Sequence, residues 1–523
     1  MSLYYGTAYG YDMLEMVSSP CISSSVNFSG DITFSINQPG NNTYIVGKQS
    51  YISAQLNIVL TREDGTQHPL EPIVNASVTP LVPATNTRAT PAAISVPYLC
   101  NNPAGALFQN MTCYVKGEQI SNFQYAQSTT TLYRMLYETK EEQNTVNSTN
   151  AINPVSLNDI DINPLVSYPD ANKLATRIGA GAGTLNNLFT SHMVWALKNN
   201  QFSFDKSCTN RINFQIPLPL FYSDELLHFG TDGKCEIAFN VSPIWANSLI
   251  QIAGSNVCTL VNGQNYIVTK SNAADALRAC SITVGVTDLR LYLCRAHVTN
   301  AYVPRSITQT IALKQWSPYR YQLTAGQSNT ILAPMKQNRR ITHIIIAFTS
   351  NLQTPFKSTP TDFSSGFTIN GNNETNIMTD GMSLIQNVSI TIGGVTYPQA
   401  VYNLSSNVLN ATPYAVQVNA SNTNDQGKAF IDYTVFTDSI RDRNGSLLSF
   451  SQWQANQIYV FKLKQNLNTT TGDCYVTVNT TANVTSATNV VIMGLYDEYL
   501  TLKYDEYSRI TSLELNSTLP LSE

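Results

Sequence analysis

The residues of this sequence best suited to proton transfer or metal ligation are its five histidines, His68, His192, His228, His297 and His343, and they stand far apart. No H-E-x-x-H is present, so the chain carries no local ligand pair of the kind that zinc sites are built on. Asp159, Asp161 and Asn163 alternate in NDIDINP as calcium-loop ligands do, with Asp170 where a bidentate acid would fall. Pro164, however, occupies the position at which such a loop needs glycine for its sharp turn, and a solvated loop is the expectation. IGAGAGT, residues 178–184, lacks the G-K-[ST] that brings a lysine to a phosphate. There is no G-x-S-x-G elbow, and no carboxylate pair stands out among 34 acids. The sequence therefore nominates no catalytic, cofactor-binding or metal-ligating residue, and the chain is expected not to be an enzyme.

Composition turns attention from chemistry to surfaces. Apolar residues make up 43% of the 523, enough for a core, whereas charged residues are only 12%, against roughly 25% in ordinary soluble chains. The outside must be largely Asn, Gln, Ser, Thr and Tyr, and depletion of charge is a property of the centres of large protein interfaces. The net charge is -4 and the first basic residue is Lys48, so no basic arm is available to neutralise nucleic-acid phosphates. The opening MSLYYGTAYGYDMLEMVSSP carries Asp12 and Glu15, has no cationic segment and no sustained apolar stretch. It does not read as a secretory signal, and the expectation is a chain that stays inside the cell that makes it.

Nine cysteines (Cys21, Cys100, Cys113, Cys208, Cys235, Cys258, Cys280, Cys294 and Cys474) are odd in number and lack C-x-x-C spacing. They are expected to be reduced, mostly buried thiols. N-x-S/T sequons occur, among them Asn27, Asn75, Asn110, Asn387 and Asn479, and carry weight only in a secreted chain. No apolar run approaches the ~20 residues that cross a bilayer as a helix.

The elements that would position any site are strands. Ile52, Ala54, Leu56, Ile58 and Leu60 alternate with Tyr51, Ser53, Gln55 and Asn57, the period-2 pattern of a strand with one buried face. Ile32, Phe34 and Ile36 repeat it, as do Ile212, Phe214 and Ile216; Ile237, Phe239 and Val241; Ile282, Val284 and Val286 running on as Leu289, Leu291 and Leu293; Tyr459, Phe461 and Leu463; and Cys474, Val476 and Val478. Helical spacing is clearest in TTTLYRMLYETKEEQ, where Leu132, Met135 and Leu136 share a face. Residues 143–200 read as a long irregular insertion.

An internal repeat sets the organisation. LFQNMTCYVKGEQIS (107–121) and LIQNVSITIGGVTYP (384–398) superpose at an offset of 277, matching Leu107 with Leu384, Gln109 with Gln386, Asn110 with Asn387 and Gly117 with Gly394. Each is followed by a stretch expected to be helical, QYAQSTTTLYRML and PQAVYNLSSNVL. Upstream of each, in the same order, SYISAQLNIVL resembles NRRITHIIIAF. So large an offset means duplicated domains, since solenoid repeats recur every 20 to 50 residues. The expected organisation is an N-terminal arm 1–28, a first β domain 29–303 with the insertion at about 143–200, a second β domain 304–507, and a tail 508–523. YDEY, at 496–499 and again at 504–507, is expected to be a final strand leaving its barrel with a solvated edge, or else a docking segment.

These residues resemble a family. LFQNMTCYVKGEQIS, TLYRML, INFQIPLPLF, LLHFGTDGKCEIAFNV and ITVGVTDLRLYLCRAHV are similar, in order and pattern, to the first barrel of double jelly-roll major capsid proteins of virophage and Polinton-like virus type. LIQNVSITIGG, SQWQANQIYVFKL and NVVIMGLYDEYLTL resemble the second barrel, and the likeness runs from about 30 to 506. The resemblance implies an all-β chain of two tandem eight-stranded jelly rolls (double jelly roll), with short helices and a long loop insertion in the first. It further implies a homotrimer forming a pseudo-hexameric capsomer, which meets neighbouring capsomers, penton and minor capsid proteins in an icosahedral virion capsid around a double-stranded DNA genome. No sequence-specific nucleic-acid contact is expected. On this reading the arm orders only on assembly, and the insertion contributes to the capsomer tower or the trimer seam. The competing reading is a two-domain β-sandwich adhesin or carbohydrate-binding protein.

Overall fold

A computed structural model describes most of the chain between Met13 and Asn516; the longest stretches outside the description are residues 75–93, 138–206, 351–377, 405–424 and 441–452. The NDIDINP loop, IGAGAGT, His192 and the expected insertion 143–200 fall among them, and the expected boundary at 303/304 lies in 298–307, also outside the described residues.

The first barrel is framed, with shorter strands added to its larger sheet, by β1 (Met13–Pro20), β2 (Asp31–Asn37), β3 (Tyr51–Arg62), β4 (Phe108–Val115), β5 (Glu118–Gln124), β6 (Ser207–Gln215), β7 (Lys234–Val241) and β8 (Cys280–His297). The second is made by β9 (Thr308–Gln322), β10 (Ser328–Pro334), β11 (Ile341–Ser350), β12 (Ile385–Ile392), β13 (Val395–Tyr397), β14 (Tyr459–Lys462), β15 (Asp473–Thr480) and β16 (Thr488–Tyr504). In the first barrel the strands pair as β1-β8-β3-β6 and β2-β7-β4-β5; in the second they pair as β9-β16-β11-β14 and β10-β15-β12-β13. Adding eight to each label of the first barrel reproduces the second. Two sheets filled in this order, facing each other across a core, are a jelly roll, and the chain contains the same one twice.

The alternation read from the sequence is the packing. Ile32, Phe34 and Ile36 on β2 face Ile237 and Phe239 on β7 in one buried layer, with Phe34 and Phe239 edge to face at 6.0 Å. Cys474, Val476 and Val478 on β15 do the same in the second barrel. In β8 the buried set steps from Val286 to Leu289, three residues, because the register with β3 slips between Thr287 and Arg290 and Asp288 takes a positive φ of 49°. This β-bulge resets the alternation, so that Val286 before it and Leu289, Leu291 and Leu293 after it are all buried. The 277-residue repeat maps onto β4-β5 and β12-β13: Gln109 and Gln386 are both exposed, Val115 and Ile392 both buried, and Gly117 and Gly394 turn the hairpins at φ of 84° and 77°.

Three stretches depart from the expectations. Met13–Pro20, expected in an arm that orders only on assembly, is β1, and runs antiparallel to β8 from Met13 opposite His297 to Pro20 opposite Arg290. Ile510–Asn516, expected in a tail, is a further strand, β17, paired with β16. Both are short in apolar alternation; an available edge on a long neighbour supplies what the local pattern lacks. The first helix is α1 (Ala126–Tyr137), with Leu132 and Leu136 buried. Its expected counterpart at 398–409 is not helical in the described residues 398–402 and 404; the second barrel's helix is α2 (Gln426–Ile440), with Ala429, Tyr433 and Phe436 buried.

Candidate functional site at the barrel seam

Each jelly roll leaves edge strands, and a bare edge is a template for pairing. Inside the chain two of these edges are used against each other: β5, the last strand of its sheet in the first barrel, abuts β9, the first strand of its sheet in the second. The residues of β9 dictate this. In ALKQWSPYRY both Gln315 and Trp316 are buried, so the strand has a covered face on either side.

Contacts run along the whole of β9. Near its start, Gln309 donates through Nε2 to the Leu226 carbonyl at 2.8 Å. Midway, Gln315 Nε2 donates to the Ile120 carbonyl at 2.9 Å, satisfying a backbone acceptor on β5 that no strand reaches. Next to it Trp316 fills the seam: Phe123 meets it edge to face at 4.6 Å, and Tyr133 of α1 lies at 4.3 Å, itself stacked on Tyr137 at 4.3 Å. Beyond, the Arg320 guanidinium stands 6.0 Å from the Tyr125 ring. Burial lowers the Arg320 pKa from its ordinary value, opposed by Tyr125. Ring pairs such as these contribute about 0.5–1.5 kcal/mol each beyond the area they bury.

A second zone closes one end. The turn between β16 and β17 lies against residues 228–233 of the first barrel. Thr231 N donates to the Ser508 carbonyl at 3.0 Å, Thr231 Oγ1 to the Tyr507 carbonyl at 3.1 Å, and Ile510 N to Asp232 Oδ1 at 3.2 Å. Lys116, in the β4-β5 turn, donates to the Ile510 carbonyl and stands 3.9 Å from Asp232. The Tyr504 hydroxyl donates to the His228 carbonyl at 2.6 Å, and burial raises its pKa, so it remains a donor. His228 Nδ1 accepts from Gly230 N at 3.1 Å, with its ring between Tyr44 and Tyr504. There is no room for slack: a Cβ on Gly233 would lie 1.3 Å from the Phe229 carbonyl oxygen. Of the second YDEY, expected at a solvated edge or in a docking segment, Tyr504 is buried against the first barrel of its own chain, while Glu506 and Tyr507 are exposed.

The histidines are dispersed. His297 bonds Glu15 at 3.1 Å and Thr43 at 3.3 Å, tying β1 to the barrel; His343, on β11, packs against Phe436 at 4.8 Å. Among the described residues no group of three or more His, Cys, Asp or Glu side chains is placed to hold a metal. Cys113, Cys235, Cys294 and Cys474 are free and buried. Cys113 and Cys235 lie 3.9 Å apart, and burial pushes the thiols of Cys235 up and of Cys474 up to about 12.

One solved structure decides what this twin arrangement is. A chain of the Sputnik virophage structure covers 98% of this chain, over 90% of its own length, at 15% identity and a TM-score of 0.52. The chain is a double jelly roll. Its fold is that of the double jelly-roll capsid proteins of virophage type. The mavirus major capsid protein (10% identity, 98% and 92% covered, TM-score 0.48) and a chain of the PBCV-1 virus capsid (10%, 96% and 97%, 0.47) are also similar. No protein-family model matches the chain, and no curated protein does. The seam is what the sequence left invisible; its one legible signal was the tryptophan and tyrosine density of QWSPYRY.

Proposed function

We propose that the chain is a viral major capsid protein of the virion, built as barrels 29–303 and 304–507 extended by β1 and β17, three copies of which form a pseudo-hexameric capsomer of an icosahedral shell. The observation that carries this reading is the welded pair of same-topology barrels. A chain whose barrels are fixed to each other along a full strand and at one end is a block of defined shape, and tiling needs shape before chemistry. The low charge of the sequence and the fold held in common with the virophage chain support it. Penton and minor capsid proteins are the further partners, and the genome, double-stranded DNA on this reading, is met without an arginine-rich arm. Light scattering on the purified protein tests the stoichiometry: a species of three times 57.6 kDa with a hexagonal or triangular outline in negative stain is expected. A stable monomer at high concentration would contradict it.

A further inference from the structure

The end zone, where residues 228–233 of the first barrel meet the β16-β17 turn, is built from strained parts. Ser508, in that turn, is wholly buried yet takes a left-handed φ of 60°, and its Oγ has no hydrogen-bond partner among the described residues. A side chain other than glycine is strained in this conformation, and a buried hydroxyl without a partner forfeits the bonds that water gave it. The first barrel nevertheless grips this residue, since the Ser508 carbonyl accepts from Thr231 N at 3.0 Å. Strain of this kind persists only where the surroundings enforce it, and it collects at parts that switch.

The enforcement runs through a histidine. His228 is 1% exposed and its Nδ1 accepts from the Gly230 N–H at 3.1 Å, so the proton of the neutral ring is on Nε2. That bond shapes the turn that carries Thr231 to the Ser508 carbonyl and Asp232 to Ile510 N. A second proton has to go on Nδ1, where it would point at the Gly230 N–H. The docked turn excludes that proton and a released turn accepts it, so acid favours release. The titratable groups facing the ring do not offset the new charge. Tyr44, on the short strand Thr43–Val46, and Tyr504, on β16, have their rings 5.3 and 5.4 Å from it, and burial raises the pKa of both phenols, which stay neutral. Nearby charges are committed to one another: Lys116 stands 3.9 Å from Asp232, and Arg509 2.7 Å from Asp505.

We infer that the end zone is an acid-released latch: protonation of His228 breaks the Gly230 bond, and the β16-β17 turn leaves the first barrel while the seam around Trp316 stays closed. Both halves of the latch belong to one chain, so it works in a monomer as in a capsomer.

Hydrogen exchange of the full-length protein, read by mass spectrometry and corrected for the intrinsic effect of pH, tests this. Between about pH 7.5 and about pH 5, where histidines take their charge, protection of residues 228–233 and 508–510 should fall about ten-fold, the size of one lost buried hydrogen bond, while β15 and residues 315–318 keep theirs. His228→Asn puts an Oδ1 that does not titrate where Nδ1 accepts from Gly230, and should keep the zone protected at the lower pH. Ser508→Gly removes the strained side chain and its hydroxyl, and should move release to lower pH. A wild-type zone that stays protected in acid, or loss of protection spread evenly over both barrels, overturns the latch. Release in His228→Asn equal to that of the wild type does so too. If His228→Asn does not fold, Ser508→Gly decides, and release at an unchanged pH overturns the latch.

Discussion

At the scale of single residues, the seam and the turns make unequal demands, and the inequality is measurable. Gly117→Ala meets no atom within 4 Å and suffers only from its φ of 84°, a cost of about 1–2 kcal/mol. Gly233→Ala drives a methyl into the Phe229 carbonyl and forces the turn at the second contact zone to move. Chemical denaturation should therefore rank Gly233→Ala well below Gly117→Ala, and equal losses would contradict the close packing described. Trp316→Ala empties the centre of the seam and should cost about 3–5 kcal/mol. His343 titrates in the fold. Burial, with Lys462 and Lys314 nearby and only Asp497 opposing, pushes its pKa from an ordinary 6.5 down to about 4. Because the unfolded chain then binds the extra proton first, the stability contributed by neutral His343 is complete above pH 6.5 and is lost as the pH falls toward 4. His343→Gln should flatten the pH dependence of the melting temperature over that interval; an unchanged slope would contradict the assignment.

At the scale of elements, what could be read beforehand follows from how each element is stabilised. Strands such as β2, β7 and β15 announce themselves because one face is buried and the other is not. β1 and β17 do not, because they are held by hydrogen bonding to the long edges of β8 and β16. α2 was illegible for a different reason: QGKAFIDYTVFTDSI is rich in β-branched and aromatic residues, exposes Ile431 and Val435, and owes its helix to the burial of Tyr433 and Phe436. The seam was legible least of all, since β9 is covered on both faces from Gln315 to Pro318 and the residues it meets lie far off in the sequence, 195 positions away for Gln315 and Ile120. Two expectations follow. A Phe123→Leu, Trp316→Leu double-mutant cycle should return a coupling of about 0.5–1.5 kcal/mol, and zero coupling would remove that ring pair from the seam. Deleting residues 508–523 removes β17 together with the acceptor of Lys116, so the melting temperature should fall; an unchanged value would show that this strand holds nothing.

At the scale of the whole molecule, two copies of one topology have been made inequivalent by what each gives to the seam. The first barrel supplies α1 and the β5 edge, and the second supplies β9 and the β16-β17 turn, so the pair has a polarity that neither barrel has alone. On the capsomer reading proposed above, three such polar blocks join into one closed capsomer. Electron cryomicroscopy of the purified full-length protein tests this most directly. Six jelly rolls around a three-fold axis, with the within-chain seam and a between-chain seam alternating, are the expected result; a lone pair of barrels, or two chains related by a two-fold axis, would contradict it.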